Sequence, residues 1–394
     1  MHVLRSTAVA EVSDAVPAAG IRSAQAADIR VALCAPGEGW GGVEQFVHSL
    51  SRHFAAKGVP VLVVLFFDGP ARVRMEAAGV PVHVVQSRYG DPRVVFEFAR
   101  VLRRHHIDVV HAHGYKATIL GALAAPLAGA RLVRTEHGRL EPEHRRWVRF
   151  KMRFNSRLEK VVSRLAADAV VFVSNDVQST SRSAGRNTLQ RVVYNGFDPR
   201  PSSTDAALEG FDDDPRLFNL GIIGRLVGVK GHAHLLKAME RLRGLDNVRL
   251  YVFGDGPLET HYRVLAEQAG LAGVVRFMGF RTNVQDYVRR LDLLVIPSLH
   301  EGLPFTLLEA MYHKLPIVAS RVGGLAEVIR DDVNGVLVNP GDPAGLAEAI
   351  EQLYLDADRR RRIGENAHQT VITKFLIDNM ADQYLAIYRR AMAG

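Results

Sequence analysis

Short apolar runs rich in β-branched residues recur along the chain, and stretches with helical periodicity fill most gaps between them. In the first half these runs are Ile29–Ala35, Val59–Phe67, Val80–Val85, Ile107–His111, Leu132–Thr135, Ala169–Val173 and Val192–Tyr194. Such alternation of strand and helix predicts a parallel sheet covered on both faces. Residues Pro199 to Arg216 break the rhythm with Pro, Ser and the acidic run Asp212-Asp213-Asp214, and read as a linker. The alternation resumes at Leu217 and continues to about Val338, after which the pattern is helical to the end. The expected organisation is a tail over 1–28, an α/β domain over 29–200, a linker over 201–216, a second α/β domain over 217–375 and a terminal helix over 376–394. Ligands of open α/β sheets bind beyond the carboxyl ends of the strands, so two such domains facing each other would place a site in the cleft between them.

Composition narrows this picture. A chain of 394 residues has room for two or three cores, and 47% hydrophobic with 23% charged residues is ordinary for a globular protein. No window approaches the run of about 18 apolar residues that a membrane span needs. The single cysteine, Cys34, excludes an internal disulfide and suits a reducing compartment. It falls in the first strand, where a small buried hydrophobe is its expected role. Glu11 and Asp14 interrupt what would be the apolar part of a signal peptide, so the Ala- and Ser-rich start reads as a mobile tail.

The candidate chemistry is concentrated in the second half. Glu301-Gly302-Leu303-Pro304-Phe305-Thr306-Leu307-Leu308-Glu309 follows an apolar strand, Leu291–Ile296. Pro304 is expected just inside the next helix, with Glu301 in the turn before it and Glu309 about two turns along. The helix start would present unpaired N–H groups and the positive end of its dipole to an anion, with a carboxylate on either side for hydroxyl groups. That suits a nucleotide-sugar. The bland reading is a solvated Glu301 and a salt-bridged Glu309 on an ordinary helix.

Upstream, Gly224-Arg225-Leu226-Val227-Gly228-Val229-Lys230-Gly231 follows another apolar run; two fixed cations there would neutralise a diphosphate. Gly254-Asp255-Gly256-Pro257 closes the strand Val248–Phe253, and Phe277-Met278-Gly279-Phe280 closes the next. Asn334-Gly335 reads as a hairpin-like turn.

These segments resemble glycosyltransferase family 4, retaining enzymes of two Rossmann-like domains (the GT-B architecture) with an E-x7-E signature. The resemblance spans Ile29 to Met392 and is strongest from Gly224 to Gly341. It implies that Arg225 and Lys230 clamp the donor diphosphate, that Gly254 lies beneath the nucleotide and that Phe280 is at the base. It implies that Glu309 holds the ribose and Glu301 the transferred sugar, with Gly302, Leu303, Pro304 and Phe305 forming the turn between them. Gly323-Gly324-Leu325-Ala326-Glu327 resembles a loop near the donor. Gly41-Gly42-Val43-Glu44 matches the family's loop under sugar and phosphate, which makes Gly41 and Gly42 donor-side and Glu44 an acceptor-side candidate. His137 would sit beside the transferred sugar, and His113 is a second acceptor-side candidate. The implied transfer is metal-free, with no cofactor beyond the donor, and the last helix is implied to cross back onto the first domain. Arg321 departs from the pattern, standing where an acidic or small polar residue is common.

Gly37-Glu38-Gly39-Trp40-Gly41-Gly42 also matches the dinucleotide fingerprint, so an NAD(P)-dependent oxidoreductase is the rival by motif. The acidic partner expected about 20 residues later is poorly placed at Asp68. An epimerase or phosphorylase of the same architecture, and a non-catalytic carbohydrate-binding relative, are further rivals.

Charge bears on the acceptor. Net charge is +8, and Arg145–Arg164 holds eight Lys/Arg against one acid, Glu159, with Trp147, Phe150, Phe154 and Leu158 interleaved. Such a helix suits an anionic membrane surface, or is a solvated basic helix with a buried apolar stripe. No recognition motif accompanies the charge, so nucleic acid is not expected. The reading is a cytoplasmic enzyme, peripheral at the inner membrane face, that glycosylates a glycan or lipid-linked acceptor in polysaccharide or lipopolysaccharide synthesis.

Overall fold

The computed structural model describes residues 29–86, 91–138, 146–181, 183–199 and 208–394. The expected tail over 1–28, residues 200–207 at the start of the linker and Arg145 lie outside the described residues.

In the first domain the strands are β1 (Val31–Ala35), β2 (Val61–Leu65), β3 (Val82–Val84), β4 (Val109–His113), β5 (Arg131–Glu136), β6 (Ala169–Phe172) and β7 (Leu189–Val192). The helices between them are α1 (Gly42–Ala56), α2 (Pro70–Ala77), α3 (Arg93–Arg104), α4 (Gly114–Ala128), α5 (Arg146–Ala166) and α6 (Asn175–Thr180). The strands form one parallel sheet in the order β3-β2-β1-β4-β5-β6-β7. Every residue of β1 and β4 is buried. That explains the unbroken apolar run of β1, because parallel strands are covered on both faces, whereas β4 buries His111 and His113 among its apolar residues.

The second domain repeats this plan. Its strands are β8 (Phe218–Ile223), β9 (Val248–Phe253), β10 (Val275–Gly279), β11 (Leu293–Ile296), β12 (Ile317–Ser320) and β13 (Val336–Val338), parallel in the order β10-β9-β8-β11-β12-β13. Its helices are α7 (His232–Arg241), α8 (Glu259–Gln268), α9 (Val284–Val288), α10 (Phe305–Tyr312), α11 (Gly323–Val328), α12 (Pro343–Leu355) and α13 (Ala357–Lys374). In both sheets the order reverses beside the first strand, between β1 and β4 and between β8 and β11. Loops diverge there, which opens the crevice where ligands of such sheets bind.

The last helix, α14 (Ile377–Ala393), leaves the second domain and packs on the first, as the resemblance implies. Met380, Tyr384 and Tyr388 join the core formed by β1, α1 and β2, with Phe54 edge-on to Tyr388. The acidic run of the linker is fastened to the second domain, with Asp212 on Arg276 (2.6 Å) and Asp213 on Arg290 (2.8 Å).

Three local expectations differ. The seventh strand lies at Leu189–Val192, not Val192–Tyr194. It pairs only with β6 at the sheet edge, so it carries Gln190 and Arg191 rather than an apolar run. Helix α10 begins after Pro304, which is its extended N-cap, so Glu309 lies a little over one turn in rather than two. Asn334-Gly335 joins no hairpin, because β12 and β13 are parallel; the buried Asn334 amide instead donates to the Val328 carbonyl.

Candidate functional site

The two loops at the second domain's switch point meet through an ion pair. Lys230, just before α7, places Nζ 2.6 Å from Glu301 Oε1. Ser298 Oγ donates to the same oxygen at 2.8 Å. The backbones are joined as well, with Leu299 N–H donating to the Val229 carbonyl at 2.8 Å. The two residues expected to hold phosphate and sugar are thus one unit, and Ser298, part of the motif's context but given no role there, completes it. Arg225 is exposed on the first of these loops. Glu309, on α10, is almost fully buried, at 3% exposure.

Close backbone contacts set this geometry. Gly254 has φ +125, and a Cβ there would lie 2.1 Å from the Gly224 carbonyl, so only glycine lets the two loops stack. Leu226 N–H donates to the Asp255 carbonyl across the same contact. Gly302 does this between domains: its Cβ would fall 2.5 Å from the His137 carbonyl oxygen. Asn195 Nδ2 donates to the Leu303 carbonyl at 2.6 Å. Phe305 is buried against the first-domain core that α14 completes. The turn from Gly302 to Phe305 is therefore clamped against the first domain.

Across the cleft, the Gly37–Gly42 loop binds its own helix. Glu44, in the first turn of α1, accepts from Gly41 N–H at 3.1 Å and from Gly37 N–H at 3.4 Å. Burial pushes its carboxyl above the usual range, and those backbone donors oppose the push. An anion already occupies amides that a dinucleotide pyrophosphate would need, which weighs against the oxidoreductase reading. It also gives Glu44 a loop-holding task and takes the Gly41 amide from any ligand. Gly42 opens α1, where a Cβ would meet nothing within 4 Å.

The strand ends beside this loop carry three histidines on one face, covered by Phe46 of α1. His111 is satisfied twice, by Tyr388 OH at Nδ1 (2.7 Å) and Thr135 Oγ1 at Nε2 (2.7 Å). Thr135 in turn meets Tyr384 OH at 2.9 Å. His113 Nδ1 lies 2.8 Å from His137 Nε2. Burial, helped by Arg134, pushes His137 down to about 4. His111 and His113 are pushed well below the ordinary imidazole range, chiefly by burial, with His137 adding to both and His111 to His113. The sequence pointed to His137 and His113; their direct contact was not legible in it.

Two further interdomain contacts flank the cleft. On one side the Glu327 carboxylate caps the start of α6, accepting from Asp176 N–H (2.7 Å), Asn175 N–H (2.9 Å) and Tyr194 OH (2.7 Å). On the other, the Arg74 guanidinium of α2 lies 4.6 Å from the Trp40 ring and 5.2 Å from the Phe280 ring. Phe280, expected at a base, is about half exposed on this clasp (46%).

Comparison with known proteins matches both halves of the chain. The Glycosyltransferase Family 4 profile matches residues 40–200, and the Glycosyl transferases group 1 profile matches residues 209–370. The lipopolysaccharide core biosynthesis glycosyltransferase LpsD of Rhizobium meliloti is 26% identical over 90% of this chain and 96% of its own. Alpha-maltose-1-phosphate synthase of Mycobacterium tuberculosis is 32% identical over 72% of this chain and 79% of its own. Another relative, the uncharacterized glycosyltransferase MJ1607 of Methanocaldococcus jannaschii, is 32% identical, but this match spans about half of each protein (51% and 54%). Among solved structures, Anabaena Alr3699/HepE in complex with UDP and glucose superposes with a TM-score of 0.78 at 25% identity, over 91% of this chain and 99% of that one. With its two parallel-sheet domains, its matched halves and relatives that span most of their length, this chain belongs to glycosyltransferase family 4 and has the GT-B fold.

Proposed function

We propose that this protein is a retaining, metal-independent hexosyltransferase that moves a sugar from a UDP- or GDP-sugar to a glycan acceptor, lipid-linked, in cell-surface polysaccharide or lipopolysaccharide synthesis. The observation that carries the reading is the Lys230–Glu301 pair at the switch point, with the next residue, Gly302, packed against the His137 carbonyl of the first domain. A Lys ammonium has three donors. One is on Glu301, leaving two for a diphosphate whose charge grows as the sugar–phosphate bond breaks. Arg225 and the start of α10 add to that stabilisation. Glu301 spends Oε1 on Lys230 and Ser298, and its Oε2 would accept from a sugar hydroxyl. Glu309 would accept from the ribose, and Phe280 with Arg74 would border the base. The acceptor oxygen attacks from the face the phosphate leaves, and the departing phosphate oxygen takes the acceptor proton. LpsD and HepE, by their names and contents, support this choice of donor and pathway class.

A thermal-shift panel tests it. One sugar nucleotide among UDP-, GDP- and ADP-sugars should stabilise the protein, with EDTA present, and Glu309→Ala should abolish that shift. Charge-assisted hydrogen bonds to the ribose are worth roughly 1.5–3 kcal/mol each. Stabilisation by NAD or NADP alone would reject the reading.

The outer face of α5 supports a membrane-bound acceptor. Trp147, Phe150, Phe154, Leu158, Val161 and Leu165 follow helical spacing, yet all six point outward, Trp147 at 75% and Leu165 at 83% exposure. The inward face is mixed instead, with Glu159 on Arg134 at 2.9 Å and Val162 and Ala166 against the core. Exposed Lys151, Arg153 and Arg157 accompany the stripe. An outward apolar stripe with basic neighbours is the arrangement of a helix lying in a lipid interface, and it opposes the solvated-helix reading. No described helix is long and apolar enough to cross a membrane. Replacing Lys151, Arg153 and Arg157 by Gln should weaken binding to anionic vesicles by roughly 10²-fold, at about 1 kcal/mol per basic residue. Equal binding by wild type and variant in a sedimentation assay would remove the membrane role.

A further inference from the structure

We propose that His113 is a positioning residue that holds the proton of His137 on Nδ1, so that His137 faces its ligand as an Nδ1–H donor. His113 Nδ1 and His137 Nε2 are 2.8 Å apart. A contact that short between two neutral rings needs one N–H and one lone pair. Both rings are neutral near pH 7, since burial pushes each below its ordinary range.

The other nitrogen of His113 decides the direction. His113 is fully buried, and its Nε2 has no hydrogen-bond partner among the described residues. If His137 donated, the His113 proton would sit on Nε2 as a buried N–H without an acceptor. If His113 donates, Nε2 is only a bare lone pair. Orphaned buried N–H groups are the rarer and costlier case. His113 therefore donates from Nδ1, His137 accepts at Nε2, and the proton of His137 lies on Nδ1. Free imidazole side chains prefer the opposite tautomer, so the pairing imposes a choice that His137 would not make alone.

The local fold makes the pairing rigid. In the parallel register of β4 and β5, His113 lies beside Thr135, and His137 follows two residues on, on the same face. Phe46 packs against both rings, with centroids at 4.9 and 5.1 Å. His111, its ring centroid 4.2 Å from that of His113 at a tilt of 46°, is held at both nitrogens by Tyr388 and Thr135, so it cannot turn to serve Nε2. This changes the expectation for His113, which acts on His137 rather than on an acceptor. The catalytic consequence rests on the proposed transferase reading; the tautomer does not.

The test is the nitrogen NMR spectrum of the full chain labelled with 15N-histidine. His137 is assigned by comparison with His137→Gln. Wild type should show His137 protonated at Nδ1 and bare at Nε2. His113→Asn, whose side-chain amide can donate from nearly the same place, should keep that signature and most of the turnover. His113→Leu should move the His137 proton to Nε2 and lower kcat roughly 10- to 100-fold, the usual loss when a ring's orienting partner is removed, with the Kd for UDP unchanged. A proton on Nε2 of His137 in the wild type, or an unmoved proton in His113→Leu, overturns the proposal. The wild-type spectrum decides even where a variant fails to fold. It also decides where no sugar nucleotide is turned over, an outcome that would reject the proposed function instead.

Discussion

Lys230→Ala should lower kcat by roughly 10²- to 10³-fold, about 3–4 kcal/mol, while weakening nucleotide binding far less. The ammonium is held 2.6 Å from Glu301 and is only about a quarter exposed, so in the proposed transfer it would meet the diphosphate already oriented and partly desolvated. A preorganised charge contributes most where charge grows during reaction, which in the proposed transfer is the departing phosphate. Single-turnover kinetics beside the Kd for the nucleoside diphosphate would separate the two effects. Equal losses in both would make Lys230 a ground-state clamp and nothing more. The substitution also strips Glu301, itself 8% exposed, of its cation and leaves Ser298 as its partner. Some loss of stability should follow, because a buried carboxylate without its counter-charge is costly. Lys230→Ala combined with Glu301→Gln removes that penalty. It should recover the melting temperature without recovering turnover, which distinguishes the catalytic loss from the structural one.

The parts of this architecture that were legible in the sequence are those written in local pattern. Strands β1 and β11 are buried along their length and are unbroken apolar runs, and β8 and β9 are apolar apart from Asn219, Gly221 and the half-buried Arg249. Strand β7 was displaced because an edge strand needs little burial, and Leu189–Val192 carries Gln190 and Arg191. The loops that build the site could be placed because glycine and proline punctuate strand ends, and the switch point then selects which loops matter. What holds them together was not legible. Lys230 and Glu301 are 71 residues apart, Asn175 and Glu327 are 152 apart, and no periodicity relates either pair. Arg74 gave no signal, because a cation between Trp40 and Phe280 is visible only once both domains face each other. In α5 the spacing of the apolar stripe was plain, but its direction was not. Propensity favours turning that stripe inward; the buried Arg134–Glu159 pair and the Thr118 contact to Glu159 turn the other face inward instead.

Acid should destabilise this fold well before its carboxylates titrate. Burial, with Arg134 or Lys230 nearby, holds His137 and His232 near 4. His111 and His113 are lowered in the same direction. The sign follows from which state binds more protons. In the unfolded chain these rings take up a proton near 6.5, whereas in the folded protein they remain neutral, so the unfolded state gains as the pH drops. The stabilisation is complete above about 6.5 and is lost as pH falls from there toward 4. At pH 5 the loss is about 2 kcal/mol for a ring like His137 or His232, from ~1.4 kcal/mol per unit over the ~1.5 units below 6.5. Glu44, Glu159 and Asp292, raised chiefly by burial, act the opposite way and soften the slope. Melting temperature should therefore fall steeply between pH 7 and 5. His232 gives the cleanest test, since it lies outside the cleft against Tyr262, among Ile222, Leu235, Leu236 and Val252. Both of its ring nitrogens are buried with no hydrogen-bond partner among the described residues. Replacing it by Phe should raise stability at pH 7 by about 1–3 kcal/mol, the cost of leaving buried polar atoms unpaired. It should also flatten the melting curve between pH 7 and 5 by its own share. A variant whose melting temperature keeps the full wild-type slope would show that His232 is already protonated in the folded state, or that its ring is hydrated.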